Sequence, residues 1–190
     1  VALAAAPKAD GKFDPTAEVL KQVKTMKVKA TDWPQSGGSY ARNNTPLGKG
    51  IATEWNVEDG TNIKWSAKLG SETYGNPVVA NGKVFIGTNN GSGYMKRYPN
   101  KTDLGCLICF DESTGEFLWQ HSSEKLPTGR VHDWPNQGIC CAPLVVGDRL
   151  WYVTSRGEVV CLDTEGFHDD ENDTPLITEK PEKPDVIWDA

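Results

Sequence analysis

The chain has 190 residues, a formal net charge of −6 and 37% hydrophobic residues. That is enough apolar material for a packed core, and the acidic balance disfavours nucleic acid or an anionic membrane surface as partner. No stretch reaches the roughly 18–20 apolar residues of a membrane-spanning helix, and the odd count of five cysteines leaves at least one thiol if all pairing is internal.

The first residues, Val1-Ala-Leu-Ala-Ala-Ala6-Pro-Lys8, suit the tail of an export signal and equally a plain Ala-rich terminus. Next, Val19, Leu20, Val23 and Met26 fall at helical spacing after Pro15, a residue fitted to a helix start. The spacing predicts a short amphipathic helix that packs on the rest of the chain or on a partner. Residues 1–30 therefore read as an extension ahead of a domain spanning 31–190. Trp33-Pro-Gln-Ser-Gly-Gly38 and Arg42-Asn-Asn-Thr-Pro46 follow as loop.

An internal repeat dominates what comes after. Residues 75–119 contain Pro77-Val-Val-Ala-Asn-Gly-Lys-Val-Phe-Ile-Gly87, Gly105-Cys-Leu-Ile-Cys-Phe-Asp111 and Ser113-Thr-Gly-Glu-Phe-Leu-Trp119. Residues 142–188 answer with Pro143-Leu-Val-Val-Gly-Asp-Arg-Leu-Trp-Tyr-Val153, Gly157-Glu-Val-Val-Cys-Leu-Asp163, Thr164-Glu-Gly166 and, after an insertion, Val186-Ile-Trp188. Asn81-Gly82 and Gly147-Asp148 suit tight hairpin turns. The Asp-to-Gly turns before the last run of each copy supply side chains that bond nearby amides. Each copy is thus an antiparallel meander, apolar on both faces as a sheet between two other sheets would be. The polar segments 94–103 and 167–185 read as solvated insertions at the rim.

This pattern resembles the PQQ-like (pyrroloquinoline quinone) β-propeller repeat. The resemblance covers about half the chain and implies an all-β fold of four-stranded antiparallel blades, present here as an N-terminal part. Residues 51–70 would hold the edge of one blade, with Ile63-Lys-Trp65 as its last strand, and residues 75–119 and 141–188 two further blades. It implies that Trp65, Trp119 and Trp188 dock between neighbouring blades. Propellers close with about four to eight blades, so the remaining blades of a longer polypeptide, or a partner protein, are expected to cover the outer faces. An extracytoplasmic, periplasmic location follows from the same resemblance.

The cysteines divide by position. Cys106-Leu-Ile-Cys109 lacks the following His of a haem attachment and lies within a strand, its two side chains on opposite faces. Cys109 and Cys161 share a repeat position and read as small buried packing. Cys140-Cys141 reads as two buried thiols or a bridge to Cys106. The resemblance adds a third reading, the cofactor-facing vicinal disulfide of PQQ-dependent alcohol dehydrogenases, although the arginine close behind it in those enzymes has no counterpart at that spacing and Arg149 sits further on. Thiolates of Cys106, Cys109, Cys140 and Cys141 with His132 would suit zinc chemically, yet they come from two units and not from two tight turns.

Three other segments invite a site. Asp169, Glu171 and Asp173 offer the oxygen ligands that calcium prefers, in what reads equally as a solvated acidic loop. Arg130, His132, Asp133, Trp134, Asn136 and Gln137 crowd a loop ahead of the paired cysteines, either a binding surface or a loop whose Trp134 packs on a neighbouring blade. His121 is expected to hydrogen-bond in a loop. Gly91-Ser-Gly93 lacks the third glycine and the helix of a phosphate cradle.

Two functions follow. One is a non-catalytic exported propeller presenting loops to a protein or polysaccharide partner, without cofactor. The other is a quinoprotein alcohol or sugar dehydrogenase using PQQ with calcium.

Overall fold

A computed structural model describes residues 14–96, 98–126 and 134–166, together with the backbone of 186–189. Helix α1 (Pro15–Thr25) starts where Asp14 Oδ1 accepts the amides of Thr16 and Ala17 at 2.9 and 3.1 Å, with Pro15 in the first turn. The helix forms as the spacing predicts but does not dock on the rest of the described chain. None of its residues is buried, and Val19 and Leu20 remain 55% and 53% exposed. Its apolar stripe is only a few side chains wide, too little burial to offset the cost of fixing the connecting residues.

Strands β1 (Val78–Ala80), β2 (Lys83–Asn89), β3 (Leu104–Asp111) and β4 (Phe117–Glu124) form one antiparallel sheet in chain order. Strands β5 (Leu144–Val146), β6 (Arg149–Val153), β7 (Val159–Asp163) and β8 (Val186–Asp189) form the second. The repeat extends to its irregularities. The β3–β4 register shifts between Cys109 and Phe110, the β7–β8 register between Cys161 and Leu162, and Cys109 and Cys161 lie opposite Trp119 and Trp188. At the β1–β2 hairpin Asn81 and Gly82 both take positive φ, +54° and +73°, which matches the right-handed twist of the strands they join.

Alternation along each strand sends side chains to two faces. Val78, Phe85, Leu107, Cys109 and Trp119 meet Val145, Leu150, Tyr152, Val160 and Leu162 in one buried cluster, so the two sheets share a core. Cys106, Ile108 and Phe110 point to the other face of the first sheet, where Trp65, Ala67 and Leu69 cover them. The outer face of the second sheet is less protected, with Val153 and Val159 at 44% and 37% exposure.

Two tryptophans join successive units in the same way. The indole of Trp65 donates to Glu112 O at 2.8 Å and that of Trp119 to Thr164 O at 3.4 Å. Glu112 and Thr164 each follow the aspartate that opens the equivalent turn, Asp111 or Asp163. Gly115 cannot carry a side chain here, since a Cβ would lie 2.5 Å from the Trp65 ring at φ +75°. The cross-sheet contacts continue with Lys83 Nζ on Glu165 Oε1 at 2.6 Å and Asn81 Nδ2 on Gly147 O at 2.7 Å. Trp188 occupies the corresponding position on β8.

Two expectations are corrected. Ile63-Lys-Trp65 does not join a ladder; residues 51–70 contribute only the isolated bridge between Asn56 and Thr61. A last strand needs the third strand of its own blade as hydrogen-bond partner, and no such strand lies beside it among the described residues. The segment 94–103 is also not wholly solvated: Met95 is buried, and Tyr94 stacks on Phe117 with ring centroids 4.5 Å apart.

The Asp111 turn sets an acid limit. Its carboxylate accepts from Ser113 Oγ and N and from Thr114 N and Oγ1 at 2.6–3.0 Å, which holds its pKa down at about 2. A folded pKa below the unfolded value contributes stability that is complete above about pH 4 and is lost as pH falls toward about 2. Asp111→Asn is therefore expected to show a smaller drop in melting temperature than the parent chain between those two pH values. Parallel melting curves would refute this.

Candidate functional site

Antiparallel connection sorts the loops onto two ends of the sheets. One end, the tight-turn end, holds the turns after β1, β3 and β5 and the start of the 164–185 connection after β7. The other, the loop-bearing end, gathers the segments ahead of β1 and β5 with the β2–β3, β4–β5 and β6–β7 connections. At this end a cavity of about 500 Å³ is lined by residues that include Gln137, Cys140, Cys141, Ser155 and Arg156.

Two glycines allow the loop before β5 to close down on the first sheet. A Cβ on Gly138 would fall 2.3 Å from the Thr88 carbonyl carbon, and one on Gly75 would fall 2.7 Å from Cys141 O. Ile139 N donates to Thr88 O at 3.2 Å, and the buried Ile139 side chain enters the shared core. Asn89 is the hub of this end. Its Oδ1 accepts from the amides of Ser71 and Gly91, and its Nδ2 donates to Ser71 Oγ and Asn136 O.

The paired cysteines are not disulfide-bonded, and they are not two buried thiols: Cys140 is exposed. Cys141 is half-buried, and its Sγ both accepts from Val153 N and donates to Val153 O, each at 3.3 Å. The thiol thus occupies backbone groups where the β5–β6 ladder has ended. Burial pushes its pKa up, so it stays protonated at neutral pH and is a weak nucleophile. A bridge to Cys106 is also absent, because Cys106 is wholly buried on the far face of the first sheet beside Gln120 Nε2 at 3.2 Å. Burial raises the Cys106 pKa to about 12. Cys109 and Cys161 are buried within their sheets.

Arg149, the arginine that lies further on from the cysteine pair, stands at the tight-turn end beside Asp148 and Asp163. Arg156 is the arginine that shares the cavity with the cysteines. Its Nε lies 3.1 Å from Glu158 Oε1 and its Nη1 3.8 Å from Glu124 Oε2. The available signal was the repeat itself, which puts Thr154-Ser-Arg-Gly157 on the β6–β7 turn at the loop-bearing end. His121 is likewise not a loop residue: it sits on β4, buried, with Nδ1 against the hydroxyl of Tyr152 across the sheet boundary.

Part of the aromatic loop can be placed. Trp134 is 64% exposed among the described residues. Its carbonyl accepts from Lys125 Nζ at 3.1 Å, its amide donates to Gln137 Oε1 at 3.3 Å, and Asn136 N donates to Asp103 Oδ2 at 3.0 Å. Tyr74, 62% exposed, stands at the same end. Arg130, His132 and Asp133, and the calcium candidates Asp169, Glu171 and Asp173, lie outside the described residues. Among the described residues no three His, Cys, Asp or Glu side chains gather as a metal site.

No family model matches the chain, and no curated protein matches it. A solved structure does. The crystal structure of quinohemoprotein alcohol dehydrogenase from Comamonas testosteroni aligns with a TM-score of 0.50 and 14% identity, over 90% of this chain and 21% of that one. The fold is that of a β-propeller segment. Lower-scoring similarities are to BamB from Moraxella catarrhalis (TM-score 0.30, 16% identity, 65% of this chain and 23% of that one) and a europium-containing methanol dehydrogenase (0.37, 15%, 92% and 33%). The chain spans about a fifth of the length of the first and no more than a third of the others. The described residues form two four-stranded sheets, and they do not close into a ring.

Proposed function

We propose that this chain is part of a longer extracytoplasmic propeller protein that holds a protein partner on the loop-bearing end of its blades. The carrying observation is Trp134, an indole 64% exposed on a loop that Lys125, Asp103 and Asn89 brace from outside. Ordered aromatic side chains give up little conformational freedom on binding and are the commonest anchors of protein interfaces. Tyr74 adds a second exposed ring at that end, and the half-covered face of the second sheet is where a further blade packs.

The quinoprotein reading draws on the cavity that joins the cysteine pair to Arg156. The described residues do not fit a quinone and calcium there. The Cys141 sulfur is committed to Val153, the Arg156 guanidinium lies between two glutamates, and the cavity wall supplies no set of carboxylates for a cation.

A photo-crosslinking residue placed at 134 of the full-length protein in its native envelope should give a discrete protein adduct that the same residue at Asp148, on the opposite end, does not. With the purified partner, Trp134→Ala should weaken binding at least about tenfold, in line with an interface anchor of roughly 2 kcal/mol. Equal labelling from both ends would overturn the proposal. So would a quinone absorbance released on denaturation together with dye-coupled alcohol oxidation.

A further inference from the structure

The lead-in to the first sheet runs along its first strand and that of the second sheet. Trp33 exchanges both backbone hydrogen bonds with Val79 of β1 at 2.6 and 2.9 Å, and Pro34 O accepts from Val145 N of β5 at 2.8 Å. The lead-in therefore bridges the first strands of both sheets. Beside it lies a cavity of about 720 Å³ lined by Trp33, Ser36, Arg42, Asn44, Asn76 and Pro77, among others.

Three features of this cavity point to a ligand. First, the loop carrying Arg42 and Asn44 is held in an uncommon shape. Both residues have positive φ, +49° and +55°, a conformation that disfavours most non-glycine residues. Arg42 N to Ser39 O at 2.8 Å, Asn44 N to Gly37 O at 3.0 Å, and the buried Gln35 through Nε2 to Ser39 O at 2.8 Å keep it so. Second, among the described residues the side chains of Ser36, Arg42, Asn44 and Asn76 have no hydrogen-bond or ionic partner, so their donors and acceptors stand open beside the indole. Third, Arg42 brings a cation to the cavity wall, and no carboxylate is among the described residues that line it.

We propose that this cavity binds an acidic oligosaccharide. An indole wall suits the apolar C–H face of a pyranose. Two carboxamides and a hydroxyl can donate to and accept from ring hydroxyls, and a guanidinium pairs in bidentate fashion with a planar carboxylate or with a sulfate ester. The site goes beyond the proposed partner surface, and Trp134 does not line it.

The test is calorimetric titration of the full-length protein with oligogalacturonate, sulfated dextran oligomers, unsulfated dextran and inorganic sulfate. One of the two acidic saccharides is expected to bind, more weakly as salt rises, and the stronger of them tells carboxylate from sulfate. Arg42→Asn, which keeps a residue tolerant of positive φ, should weaken that binding at least about tenfold at unchanged melting temperature, and Asn76→Ala should weaken it independently. Trp134→Ala should leave it unaltered, so this proposal and the partner surface can fail separately. No acidic saccharide binding, equal binding of unsulfated dextran, equally tight binding of inorganic sulfate, or an unaffected Arg42→Asn would each overturn it.

Discussion

Trp119→Ala is expected to cost the protein about 3–5 kcal/mol, the range for deleting a large buried aromatic side chain. Trp119 is 1% exposed, its ring centroid lies 5.8 Å from that of Phe85, and it sits in the cluster shared by both sheets. Truncation opens a void at the boundary of two sheets, where neither can collapse to fill it without dragging its own ladder. The lost indole bond to Thr164 O also leaves that carbonyl without this donor. Thermal unfolding should shift down by roughly 10 °C. Trp119→Phe, which keeps a ring and forfeits the hydrogen bond, should fall between the two. A loss under about 1 kcal/mol for the alanine variant would show that the blades do not depend on this seam.

Gly138→Ala carries the second largest expected effect. Gly138 has φ +70°, where a Cβ already costs roughly 1–2 kcal/mol. The added Cβ would also meet Thr88 and Asn89 backbone atoms at 2.3–2.4 Å, atoms of a paired strand that cannot move aside. The loop must lift, which breaks the Ile139 N to Thr88 O bond and the Asn89 to Asn136 brace. Lower stability should come with faster thiol labelling at Cys140 and Cys141, as Cys141 leaves the Val153 backbone. A variant with parent melting temperature and parent labelling rate would sink this account of how the loop is held.

The structure also shows why the two ends of the sheets differ. At the tight-turn end the β3–β4 turn is closed by local chemistry: Asp111 satisfies four donors within three residues, and the tryptophan of the preceding unit is laid over Gly115. Such turns leave little side-chain surface with open valence. The loop-bearing end is held from a distance, through Thr88 and Asn89, so segments far apart in sequence come together and Trp134 and Tyr74 stay turned to solvent.

Much of this was written in the sequence by itself. Short apolar runs rich in Val, Ile and aromatic residues, with the Asn81-Gly82 and Gly147-Asp148 pairs, determine the strands, because strand preference and positive φ are properties of a few neighbouring residues. The repeat determines that two meanders share one plan, down to the register shift beside Cys109 and Cys161. The tertiary structure alone decided which groups meet. Lone segments read as solvated or as strands, such as residues 94–103 and 63–65, depend on what lies beside them: Tyr94 found Phe117, while Ile63-Lys-Trp65 has no pairing strand among the described residues. Arg156 and not Arg149 reaches the cysteine cavity because the extended strand β6 lies between them and carries them to opposite ends of the sheet. Arg42, Asn44 and Asn76 converge only because Trp33 pairs with Val79, 46 positions along the chain. Spacing reports the path of a strand or a turn; the energy that brings distant side chains together is released only when the sheets and their loops pack.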